Sequence, residues 1–83
     1  MYYSRLITGS ERRRRINKRR EELGMTWQEL ANRLKVSLVT IQTIAKNNRI
    51  YAHNAFMIAY HLKMNPNKLV WDNPSLVKKK EKN

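Results

Sequence analysis

A chain of 83 residues holds one domain with short flanking segments, and without cysteine it has neither a disulfide framework nor a thiolate metal site. No apolar run approaches the roughly 20 residues of a membrane span, and the opening MYYSRLITGS lacks the apolar stretch of a secretory signal. Eighteen Lys and Arg against six Asp and Glu give a net charge of +12, which repels itself in a compact fold and points to a polyanionic partner.

Residues 1–9 read as an N-terminal arm carrying Tyr2, Tyr3, Leu6 and Ile7, either packed on the body or loose. Ser10, or Thr8, can cap a first helix from about Glu11 to Leu23, with Glu11 favoured in its first turn by the helix dipole. Gly24 stands where a left-handed residue ends that helix. The apolar stripe is thin: Ile16 and Leu23, with arginine stems between them. Thr26-Trp27-Gln28-Glu29 has the form of a capping box, so a second helix begins at Trp27 and stops near Leu34 or Lys35. Leu30, Ala31 and Leu34 share one face of it.

Ser37 is a good N-cap for a third helix, although SLVTIQTIA is rich in β-branched residues and propensity alone accepts a strand there. The helical spacing of Ile41 and Ile44, continuing a stripe from Val36, favours the helix. Asn47 or Asn48 is expected to end it in a left-handed conformation. A fourth helix covers roughly Ala52 to Lys63, with Ala55, Ile58, Ala59 and Leu62 inward. Asn65-Pro66 starts a short fifth helix carrying Leu69 and Val70 and leading to Trp71. Residues 10–72 therefore read as one all-α domain, and 73–83, ending KKKEKN, as a disordered basic tail.

The discriminating segment runs from Trp27 to Lys46. Two helices that cross steeply over a turn of three or four residues tolerate only a small side chain at the crossing, and Ala31 has that place. Leu30, Leu34, Val36, Ile41 and Ile44 fill the apolar positions around it. With this pattern in LGMTWQELANRLKVSLVTIQTIAKNNR, followed by MIAYHLKMNPNKLV, the chain resembles the XRE/Cro-type helix-turn-helix family over roughly residues 11–71. The resemblance implies a five-helix repressor-like DNA-binding domain. It also implies a stand-alone, Cro-like transcriptional regulator of a phage or mobile element, cytoplasmic and associated with the nucleoid.

In that family the third helix enters the major groove of double-stranded DNA. The implied base readers are Ser37, Leu38, Val39, Gln42 and Thr43, with Gln42 able to pair bidentately with adenine and Leu38 or Val39 to touch a thymine methyl. The implied phosphate contacts are Arg20, Trp27, Gln28, Thr40, Lys46, Asn48 and Arg49. A homodimer contact through Lys68, Leu69 and Trp71 is also implied. Departures accompany these matches. Lys35 stands where the family usually has glycine, which predicts a left-handed lysine or a different turn. Ala45 replaces the glutamate that pairs with the Arg20-type arginine, which leaves Arg20 freer for an anion.

Leu38 and Val39 at the exposed head of the third helix admit a second reading, in which the same surface grips a cognate repressor protein, as an anti-repressor does. The cluster Arg12 to Arg15 with Lys18, Arg19 and Arg20 winds round its helix and reads either as a solvated face or as phosphate contacts. No catalysis, metal or cofactor is expected. His53 and His61 lack a third ligand, Glu21 and Glu22 are adjacent and diverge, and Gly9 and Gly24 make no phosphate loop.

Overall fold

The computed structural model describes residues 6–72; the expected tail and residues 1–5 of the arm lie outside the described residues. The described chain is all-α. Its elements are α1 (Gly9–Glu22), α2 (Trp27–Leu34), α3 (Leu38–Lys46), α4 (Ala52–Leu62) and a final 3₁₀ turn, Pro66–Leu69. The expected fifth α-helix is thus a single tight turn, entered through Asn65, whose side chain accepts from the Asn67 N–H. An isolated antiparallel bridge joins Leu6 to Trp71, and the Ile7 N–H donates to the Val70 carbonyl with Ile7 buried.

Local chemistry explains where the helices start. Thr8 caps α1, accepting from the Glu11 N–H, so the helix begins two residues earlier than a Ser10 cap would allow. Thr26 and Glu29 form both halves of the capping box on α2, at 3.0 and 3.1 Å. Ser37 caps α3 through the Thr40 N–H at 3.1 Å.

Three helices end the same way. At the ends of α1, α2 and α4 the paired bonds of a Schellman motif close around a left-handed residue: Gly24, Lys35 and Lys63. Two of these positions carry lysine, at φ 59° and 52°, where glycine has no Cβ to crowd the following carbonyl. Lys35→Gly is therefore expected to stabilise the fold by about 0.5–1 kcal/mol, because relief of the left-handed strain exceeds the extra chain entropy of glycine. Urea denaturation of the two proteins measures it, and a loss of stability would contradict the strain.

The end of α3 departs from expectation. Asn47 leaves the helix extended, at φ −68° and ψ 145°, rather than left-handed. Arg12 supplies the reason: its guanidinium takes the carbonyls of Asn47 and Asn48, and so turns the chain outward there.

Arg12 belongs to a set. Arg15 donates to the carbonyls of Lys68, Trp71 and Asp72, Arg19 to those of Leu62 and Lys63, and Arg20 to that of Met25. Carbonyls at a helix C-terminus lack intrahelical partners and carry partial negative charge, which a guanidinium satisfies on both counts. The reading of the arginine cluster as a solvated face is therefore corrected for four of its members. Arg13, Arg14 and Lys18 do face water.

The core gathers Ile16, Met25, Leu30, Ala31, Ile41, Ala45, Ala55, Ile58, Ala59, Leu62 and Leu69. Ala31 is fully buried beside α3, which lets α2 and α3 approach across the turn 35–37. Leu23, expected on the inner stripe of α1, is partly exposed instead. Its place in the interior is taken by Arg12, one turn before Ile16 on the same side of α1 and only 1% exposed.

Candidate nucleic-acid interface

α3 is divided lengthwise. Ile41 and Ala45 are buried, Leu38 and Ile44 are half-buried against the core, and Val39, Thr40, Thr43 and Lys46 are exposed. Val39, Thr43 and Lys46, spaced by four and three residues, line the outer face, with Gln42 half-buried at its edge. Val39 is 72% exposed, and among the described residues the Gln42 amide has no hydrogen-bond partner. The outer face thus presents an amide, a hydroxyl, methyl groups and an ammonium, groups that can meet base edges and a phosphate.

Several expected site residues are otherwise engaged. The Ser37 hydroxyl caps α3 and lies 2.8 Å from the Thr40 hydroxyl, so these two side chains hold each other at the helix start. Leu38 is not a free head group, since it leans on the core and leaves Val39 as the exposed apolar residue. Trp27 cannot offer its indole N–H to a phosphate without breaking a bond, because that group donates to Asn17 Oδ1 at 2.8 Å. Arg20 is not left free by the absent glutamate. It donates to the Met25 carbonyl at 2.8 Å and to Asn17 Oδ1, and its guanidinium carbon lies 5.7 Å from the centre of the Trp27 ring. Asn17, which sequence reasoning did not single out, is the common acceptor of this group.

At the start of α2 the capping box uses the N–H groups of Thr26 and Glu29 and leaves those of Trp27 and Gln28 facing outward. Gln28 is exposed, with its amide nitrogen bonded to Asn32. At the end of α3 and just past it, Lys46, Asn48 and Arg49 are exposed. The Asn48 side chain accepts from the Gly9 N–H at 3.4 Å.

Of the three residues implied for a dimer contact, one lies in the interior. Leu69 is fully buried in the core, where it cannot reach a second chain, and Trp71 is half-buried and bridged to Leu6. Only Lys68 of that set is exposed.

Charge is distributed unevenly. No Asp or Glu occurs between Leu30 and Trp71, so α3, α4 and the loop between them carry no carboxylate. The acidic residues of α1 are largely matched: Glu11 pairs with Arg14 and Arg15, and Glu22 with Arg19. Hydrogen bonds from Arg14 and then Arg15 hold the Glu11 carboxyl below the usual carboxylate range. Among the described residues no three of His, Cys, Asp and Glu gather to hold a metal ion, and no helix is long and apolar enough to cross a membrane. No protein-family model matches the chain, and no curated protein matches it in sequence.

Proposed function

We propose that this chain is a helix-turn-helix protein of the XRE/Cro type that binds double-stranded DNA sequence-specifically and regulates transcription, with α3 in the major groove. One observation carries the reading. α2 and α3 are joined by the three-residue turn 35–37 over a buried Ala31, and the outer face of α3 carries exposed Val39, Thr43 and Lys46 on a surface without carboxylates. In this reading Gln42 pairs with an adenine, Val39 meets a thymine methyl, and Thr43 contacts a base edge or phosphate. Lys46, Asn48, Arg49 and the outward N–H groups of Trp27 and Gln28 hold the backbone. The family resemblance and the net charge of +12 support it as well.

Selection of binding sites from random duplexes by the purified chain tests the proposal. A defined sequence is expected to emerge. If six to eight phosphates are neutralised, log affinity should fall against log salt with a slope of about −5 to −7. Failure to enrich any sequence would overturn the reading.

The exposed Val39 also favours a second reading, capture of a cognate repressor by the same face. Val39→Asp is the clean probe, since it leaves Leu38 seated on the core. Loss of a co-expressed repressor by this variant, together with no sequence-selective DNA binding by the wild type, would replace the first reading with the second.

A further inference from the structure

The densest positive charge of the domain is not on α3. An open groove of about 760 Å³ runs between α1 and the segment from Lys63 to Lys68, lined by Arg14, Arg15, Lys18, Arg19, Lys63 and Lys68. The two carboxylates on its wall, Glu11 and Glu22, are already paired with arginines of α1. Arg15 and Arg19 tie backbone carbonyls, and Lys18, Lys63 and Lys68 are exposed, without an ion pair among the described residues. The face of α1 that meets α3 carries Gly9, Arg12 and Ile16. Arg14 and Lys18 lie roughly half a turn round the helix from Arg12 and Ile16, at about 100° per residue. The groove therefore opens on a different side of the domain from the outer face of α3.

We propose that this groove binds the phosphate backbone of a second DNA duplex, so that one domain bridges two duplexes. The bridging rests on the reading that α3 holds the first. Phosphate recognition of this kind needs placed cations and no base contact, which is what the groove offers. A protein partner would need a buried apolar or aromatic anchor, and the groove offers only the half-buried Met64.

The test uses the full chain, a bead-bound duplex carrying the selected site, and a second, fluorescent duplex of random sequence. Wild type is expected to capture the fluorescent duplex. The variant Lys18→Gln/Lys63→Gln/Lys68→Gln removes three point charges and no backbone tie, and should hold the bead-bound duplex within about threefold while capturing at least tenfold less of the second. Lys18→Glu alone, on the solvent face of α1, should lose part of the capture with an unchanged melting curve. Undiminished capture by the triple variant would overturn the inference, as would wild type that binds the first duplex and captures nothing. Sedimentation must give one mass for wild type and variant, and a loss of capture that tracks the loss of a dimer also overturns it. A wild-type chain that binds neither duplex would instead remove the proposed function itself.

Discussion

Arg12→Met is expected to lower stability by about 2–4 kcal/mol, a large share of the several kcal/mol available to a domain of this size. The guanidinium is buried, and it donates to the carbonyls of Leu69, Asn47 and Asn48. One side chain thereby joins α1 to the end of α3 and to the final turn. Burial pushes the guanidinium's pKa down, yet an arginine remains charged at any ordinary pH. Among the described residues no carboxylate is a hydrogen-bond partner of it, and three polar carbonyls solvate it. Methionine matches the stem but leaves those carbonyls facing apolar atoms. Release from burying a charge offsets part of the loss, which is why the estimate is no larger. Arg12→Lys keeps the charge but not the planar fork, and should fall between the two. Urea denaturation followed by circular dichroism measures all three proteins. A loss under about 0.5 kcal/mol for Arg12→Met would show that the three carbonyls are satisfied in another way.

Gly9→Ala should have an effect of similar size for a steric reason. A Cβ at Gly9 would collide with the carbonyl group of Lys46 and press on that of Asn47. Both sides of this contact are backbone, so no side chain can swing away to relieve it. Alanine is the better helix former by about 0.5–1 kcal/mol, and that gain is far too small to offset the overlap. The expected outcome is a loss of about 2–4 kcal/mol, with the end of α3 pushed away from α1. Since Lys46, Asn48 and Arg49 lie at that end, binding of any DNA should weaken as well. An alanine variant as stable as wild type would mean that α1 and α3 do not approach this closely.

These two residues also show where sequence reading reached its limit. Thr26, Glu29 and Ser37 were legible because a cap is a local event, complete within four residues. The left-handed Lys35 was one of two alternatives that the family resemblance implied, whereas nothing local marked Lys63, which adopts the same conformation in the same motif. Arg12 was hidden because an arginine on a helix usually reads as solvated, and its Leu69 partner lies fifty-seven residues away. A signal was nevertheless present. The apolar stripe of α1 was too thin to seat a helix, with Ile16 its only fully buried apolar member. A cation one turn before that residue, on the inner side, was the candidate to complete it.

The candidate interface was legible to a similar degree. Periodicity sorted Ile41 inward, because one face of an amphipathic helix must be buried, while the family resemblance implied Val39 and Thr43 on the outer face. It could not show that Trp27 already has a partner inside the molecule, since Asn17 on α1 meets the Trp27 indole only once α1 and α2 have packed, and it did not reveal that Arg20 is held by Asn17 and Met25, three and five residues away. Leu69 was misplaced for the same reason. Apolar residues in a short terminal turn can face a partner chain or the core, and here the core holds it.

Base reading by the outer face of α3 is probed by Gln42→Ala. Affinity should be measured at one fixed salt concentration for the selected site and for random duplex. A loss of about 1–3 kcal/mol is expected on the selected site and almost none on random DNA. An equal loss on both, or no loss on either, would contradict it.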